Sequence, residues 1–150
     1  MSYLVSKWDV AHMQVAETYA QLSSAKRAQV GAVIVKDNRI ISIGYNGMPS
    51  GWVNKCEDYV TVIGDDGEPS IGMKTKPEVL HAEANAITKV ARSSESTLES
   101  TIYCTMQPCL ECAKLIYQSG ITKVVYSKDY PKGSLGTDFL DKCGIEIIKL

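Results

Sequence analysis

The second half of the sequence alternates between two kinds of segment. Three short runs rich in β-branched and apolar residues, "STIYCT" (100–105), "TKVVYS" (122–127) and "IEIIKL" (145–150), are separated by stretches long enough for a helix. A strand that reaches the next one through a helix returns in the same direction, so the alternation predicts parallel strands with helices packed on the sheet. Pro108 stands at or near a first helical position and Gly120 where a helix would be capped, which brackets one helix. "LGTDFLDKC", ending at Gly144, reads as a weaker one, and "HAEANAITKVAR", from His81, as a third.

Upstream, Val30–Val35 and Arg39–Tyr45 flank the turn-forming pair Asp37 and Asn38, the pattern of a hairpin. Earlier still, Trp8, Ala11, Val15, Tyr19 and Leu22 recur at spacings of three and four, which predicts a helix over Val5 to Leu22 with those residues on its core face. The expected order is α, β, β, α, β, α, β, α, β: an α/β chain with a largely parallel sheet, an antiparallel hairpin at its start, and helices on both faces. Residues 57–78, rich in Gly, Pro and acids, read as a functional flap or a poorly ordered connection.

With 150 residues the chain holds one hydrophobic core, so residues 1–150 form a single domain in this reading. Hydrophobic residues at 45% and charged ones at 22% are the mix of a globular protein, not of a disordered chain. "MSYLVSKWDVAHM" lacks a basic segment followed by an apolar run, and no stretch of about 18 apolar residues occurs, so neither secretion nor membrane spanning is expected. Five cysteines, an odd number, with nothing directing the chain to an oxidising compartment, argue against a disulfide framework and for a cytoplasmic setting. Sixteen basic against seventeen acidic residues, without a basic run, weigh against polynucleotide binding. A small anionic ligand would need only one or two cations.

Cys109 and Cys112 lie at i and i+3 near a helix start, where the positive end of the dipole and free N–H groups stabilise thiolates. A redox pair needs that same local geometry. His81 and Glu83 decide between the readings: "HAE" can converge on one site only where a helix begins and its first residue keeps non-helical dihedrals. An imidazole and two thiolates are ligands zinc prefers, and three protein ligands leave a tetrahedral position for water, the mark of a catalytic site. A structural site would need a fourth ligand from Cys56, Cys104, Cys143 or His12. Cys104 alternates with Ile102 and Met106 as a core thiol, Cys56 and Cys143 are isolated beside loops, and His12 reads as a packed or solvated side chain.

The pattern H-x-E followed by P-C-x-x-C is the signature of zinc nucleobase deaminases. Its chemistry needs these residue types: the metal acidifies a water, and an acid beside that water but off the metal, here Glu83, moves protons to the ring nitrogen and the departing amine.

The segments "AQVGAVIVKDNRIISIGYNGMPSG", "HAEANAI" and "TMQPCLECAKLIYQSGITKVVYSKDY" together resemble the cytidine/deoxycytidylate deaminase superfamily, and the "VGAVIV…GYNG.PSG" block resembles its deoxycytidylate branch. The resemblance implies a three-layer α/β/α sandwich around a five-stranded mixed sheet and hydrolysis of dCMP to dUMP, the precursor of dTMP. It implies zinc on His81, Cys109 and Cys112, Glu83 as proton shuttle, Asn46 at the sugar, the backbone of Ala82 at the base and Tyr130 at the nucleotide. Arg27, with Lys128 and Lys132, is a candidate for the phosphate. It further implies a homohexamer activated by dCTP and inhibited by dTTP at a site that includes Gly44, Tyr45, Asn46 and Gly47. Some members carry a second, structural zinc; here Ala25 and Lys55 stand at its cysteine positions and residues 57–80 hold no histidine, so one zinc per chain is expected. Rival readings are a tRNA adenosine or free-nucleoside deaminase, a zinc-stabilised binding module and a CxxC oxidoreductase.

Overall fold

The computed structural model describes residues 5–150, so the first four residues of the amino-terminal stretch read above lie outside the described part. Its elements are α1 (Lys7–Ala20), β1 (Gly31–Lys36), β2 (Arg39–Tyr45), β3 (Glu57–Ile63), β4 (Pro69–Thr75), α2 (Ala82–Ala91), β5 (Thr101–Met106), α3 (Leu110–Gln118), β6 (Lys123–Lys128), α4 (Leu135–Lys142) and β7 (Glu146–Lys149). A five-stranded sheet runs in the order β2-β1-β5-β6-β7, and β3 with β4 forms a separate two-stranded sheet.

Alternate side chains along each strand feed two cores, as a pleated strand requires. Ala32, Ile34, Ile102, Cys104 and Val124 meet Ala82, Ala86, Ala113, Ile116 and Leu140 from α2, α3 and α4. Val33, Val35, Tyr103, Val125 and Ile148 meet Met13 and Ala16 from α1. The result is the expected three-layer α/β/α sandwich with a mixed sheet.

The sheet is less parallel than the alternation predicts. β5–β6 and β6–β7 pair parallel, but β1 pairs antiparallel with both β2 and β5. The crossover through α2 leaves β2, passes β1 and lands on its far side, so β5 runs with β2 and against the strand between them. The β1–β2 turn is as expected: Asp37 and Asn38 both adopt positive φ, 50° and 59°, the conformation a tight two-residue hairpin demands.

Two further expectations need correction. Helix α1 buries a different stripe from the one its large apolar residues suggest. Asp9, His12, Met13, Ala16 and Ala20 face inward, while Trp8 is 49% and Leu22 58% exposed. The reason is close approach: a Cβ added at Gly31 would sit 2.1 Å from the Ala16 carbonyl oxygen, so only the small-residue stripe fits there. Of the two readings of residues 57–78, the poorly ordered connection is likewise overturned. β3 and β4 pair continuously from Glu57↔Thr75 to Ile63↔Pro69, closed by a turn in which Gly64 N–H donates to the Glu68 carbonyl at 3.0 Å. Main-chain bonds define this hairpin while most of its side chains face solvent, so no apolar alternation announces it.

Asp9 is only 2% exposed. Its Oδ2 accepts from Ser6 N–H at 3.0 Å, closing a capping box, and its Oδ1 accepts from the Tyr103 hydroxyl at 2.8 Å and the Lys123 ammonium at 3.2 Å. Burial pushes this carboxyl up, but those three donors outweigh it and its pKa lies below the ordinary 3.8. A depressed folded pKa contributes stability that is complete above the unfolded value and disappears as pH falls through the folded one. Asp9→Asn should therefore cost about 1–3 kcal/mol at neutral pH. In urea titrations its deficit against wild type should shrink as the pH is taken below 3.8; a deficit independent of pH would contradict this account.

Candidate active site

The strands β2, β5 and β6 run parallel and deliver their carboxyl ends to one edge of the sheet. Beyond β2 the chain bridges from Gly47 to Leu80 through paired backbone bonds of 3.1 and 2.8 Å, immediately before His81. His81 is the N-cap of α2, with φ −71° and ψ 155°, so it stays extended while Glu83 occupies the first turn. This break in helical geometry lets residues two apart face one site. Gly44 permits α2 to lie against β2, since a Cβ there would meet the Ala82 carbonyl oxygen at 2.3 Å, and Asn85 Nδ2 donates to the Tyr45 carbonyl at 2.8 Å.

After β5, Pro108 precedes Cys109, which is itself the N-cap of α3. The proline therefore stands just outside the helix, not within its first turn. Cys109 Sγ and Cys112 Sγ lie 3.5 and 3.4 Å from His81 Nδ1, and the three donor atoms fall within 4.8 Å of one another. Gly136 of α4 presses on this loop: a Cβ there would come 2.1 Å from the Pro108 carbonyl oxygen. Gln107 links it to the rest. Its Nε2 donates to Thr137 Oγ1 at 2.7 Å and its Oε1 accepts from Tyr130 N–H at 2.9 Å.

Hydrogen bonding from Cys112, then from His81 and the Cys112 N–H, pulls the Cys109 thiol well below its ordinary value, while Cys112 is pushed up by its bond to Cys109 and by burial. His81 is raised, chiefly by its bond to Cys109. One imidazole nitrogen and two sulfurs at this separation, with one sulfur already favoured as thiolate, fit a zinc ion by number and type of donor. Glu83 stands beside the group. It is 4% exposed, and burial raises its carboxyl above the ordinary carboxylate range.

A cavity of about 350 Å³ opens over His81, Glu83 and Cys109. Of the residues singled out from sequence, Arg27, Asn46, Ala82 and Tyr130 also line it, as does Lys132, whereas Lys128 does not. Gly44, Tyr45 and Gly47 support α2 and its entry, as described above. Asn46 does structural work as well: its Nδ2 donates to the Ala28 carbonyl at 2.8 Å and its Oδ1 accepts from Val30 N–H at 2.9 Å. His12 lies elsewhere, with Nε2 3.2 Å from Asn38 Oδ1 and its ring against Tyr103. Cys56 and Cys104 are buried and Cys143 half-buried, outside the donor group. Sequence reasoning missed Glu57, Thr75 and Gln107, all in the cavity wall. Glu57 and Thr75 belong to the unrecognised hairpin, and Gln107, next to the motif, carries no local sign of its tertiary bonds.

The family described as the cytidine and deoxycytidylate deaminase zinc-binding region matches residues 6–128. The chain is 37% identical to the deoxycytidylate deaminase of Enterobacteria phage T2, over 92% of this chain and 89% of that one. It is 41% identical to the human deoxycytidylate deaminase, over 82% of this chain and 66% of that one. Among solved structures it is similar to the dCMP deaminase of cyanophage S-TIM5 in complex with dCMP and dUMP, with 40% identity, a TM-score of 0.84 and coverage of 99% and 100%. A tRNA:A34 deaminase structure, at 19% identity and a TM-score of 0.58, shares the fold alone. With the family's pattern matching most of this chain and relatives of this similarity on the same fold, the chain belongs to the cytidine and deoxycytidylate deaminase family.

Proposed function

We propose that the protein is a zinc-dependent enzyme that hydrolyses dCMP to dUMP and ammonia. The observation that carries this reading is one cavity whose wall includes His81 and Cys109 of the His, Cys, Cys donor group, the buried Glu83, and the candidate nucleotide contacts Arg27, Asn46 and Tyr130. The relative most similar among the structures named above was solved with dCMP and dUMP, which supports the same substrate here. His81, Cys109 and Cys112 would hold zinc, which when bound lowers the pKa of a water so that it is nucleophilic near neutral pH.

Glu83 then has a proton-transfer role. Its carboxylate takes a proton from the attacking water and places it on N3 of the cytosine ring, which makes C4 electrophilic. A later proton passes to the amino group, which leaves as ammonia while O4 of uracil remains. The burial that raises Glu83 suits both halves of this task, since a carboxyl nearer neutrality accepts and donates with smaller penalties. The Ala82 backbone meets the base, Asn46 and Tyr130 the sugar and nucleotide, and Arg27, with Lys132, supplies positive charge for the phosphate.

The wider reading follows from family resemblance: one zinc per chain, a homohexamer, dCTP activation and dTTP inhibition near Gly44–Gly47, and a cytoplasmic enzyme that supplies dUMP for dTMP synthesis. Ala25 and Lys55, in place of the cysteines of a second site, support the single zinc.

Glu83→Ala should keep its zinc and lose deamination by at least about 10²-fold; near-normal turnover would remove its assigned role. Metal analysis of the purified chain should return one zinc, and dialysis against a chelator should abolish turnover until zinc is restored. Two zincs per chain would overturn the stoichiometry. Among dCMP, CMP, deoxycytidine and dCTP, followed by ultraviolet absorbance, dCMP should be the preferred substrate. A preference for deoxycytidine would replace the nucleotide reading with a nucleoside one.

A further inference from the structure

Two polar groups of the cavity wall take no part in the chemistry above: the Glu57 carboxylate and the Thr75 hydroxyl. They are cross-strand partners at the base of the β3–β4 hairpin. Glu57 is 5% exposed, and a carboxylate so buried must be well bonded to be tolerated. Its Oε1 accepts from two consecutive backbone N–H groups, Lys26 at 2.7 Å and Arg27 at 3.1 Å. Thr75 Oγ1 accepts from Arg27 Nη1 at 3.2 Å. The hairpin thus grips Arg27 at both its main chain and its guanidinium.

The same loop is tied from the opposite side. Asn46 bonds the Ala28 carbonyl and the Val30 N–H, and Lys26 Nζ donates to the Tyr59 hydroxyl at 3.2 Å, adding a second link to β3. Arg27 and Lys132 are the cations among the residues lining the cavity. One Arg27 donor is spent on Thr75, and the rest of the planar fork is free in kind to take phosphate oxygens. An arginine already fixed in place loses less freedom when a ligand binds.

We propose that the β3–β4 hairpin is a phosphate-specificity element: Glu57 and Thr75 preorganise Arg27 for the 5′-phosphate of the nucleotide, so that a monophosphate is favoured over its nucleoside. This rests on the dCMP reading and adds to it the structural origin of phosphate preference. Glu57 and Thr75 are positioning residues that act through Arg27.

The test is a double-mutant cycle read by calorimetric titration of the zinc-loaded full chain with dUMP, with deoxyuridine as the phosphate-free control. Arg27→Gln should weaken dUMP binding about 10- to 100-fold, the cost of a lost charge-assisted contact. Thr75→Val should weaken it about 2- to 10-fold through lost ordering, and Thr75→Ser should recover most of that loss. The double variant R27Q/T75V should bind dUMP no more weakly than R27Q, because Thr75 works only through Arg27. Deoxyuridine should bind wild type and T75V alike. Glu57→Gln, whose amide oxygen can still accept both N–H groups, should stay within about threefold of wild type, whereas Glu57→Ala should not.

The inference is overturned if T75V weakens dUMP and deoxyuridine by the same factor, if its loss adds in full to that of R27Q, or if T75V binds dUMP as wild type does. Wild-type turnover of dCMP, measured on the same preparation, addresses the substrate reading separately. An intact cycle without dCMP turnover would remove the proposed reaction and leave the phosphate grip standing.

Discussion

Two helices that begin at the same place are the constraint from which the rest of this structure follows. α2 and α3 each open with an N-cap residue in extended conformation, His81 and Cys109, and both side chains turn into the gap between the helix starts. Each start carries the positive end of a dipole, and hydrogen bonds from Cys112 and His81 favour thiolate at Cys109, while Cys112 is pushed up by its bond to Cys109 and by burial. Because β2, β5 and β6 point the same way, the loops that follow them share one edge of the sheet. Asn46 and the entry to His81, the Gln107–Cys109 segment, and Tyr130 to Lys132 therefore surround a single cavity. Crevices outside the carboxyl ends of parallel strands are where α/β sheets bind ligands.

Backbone contact, more than side-chain bulk, holds that arrangement in register. Gly44 lets α2 touch β2, Gly136 lets α4 touch the Pro108–Cys109 peptide, and Gly31 lets α1 touch β1. At each, a methyl group would lie less than 2.5 Å from a carbonyl oxygen. A site whose donor atoms must converge within a few ångströms gains from such stops, because side-chain packing can relax by small rotations and backbone contact cannot. Gln107 extends the same logic by bonding α4 on one side and the Tyr130 loop on the other.

The site was more legible in the sequence than the fold around it. The grouping of His81, Cys109 and Cys112, with Glu83 beside them, was readable because a metal-binding pattern needs particular side chains at particular offsets from a helix start, and helix starts leave local marks. The strands of the main sheet were readable as apolar, β-branched runs, which burial on both faces selects in β1, β5 and β6. The inward stripe of α1 was not. Two stripes of the helix are plausible by period, and the choice was made by Gly31 on another element and by the partners Tyr103 and Lys123 that accommodate a buried Asp9. The hairpin β3–β4 was hidden because its strands pair with each other while most of their side chains remain exposed.

By itself the amino-acid order pointed to the His81, Cys109 and Cys112 donor group with Glu83 beside it, the helix starts that carry them and the α/β class, because helix starts, strand runs and ligand offsets are marked by residues close along the chain. Tertiary structure alone decided that Glu57, Thr75 and Arg27 form one unit, that Asn46 braces the loop beside them, and that β1 lies antiparallel between two parallel strands. Those features depend on contacts between segments far apart in the chain. Such contacts leave no periodic trace in either partner, since each residue type involved is equally at home in an ordinary turn or on a solvated surface.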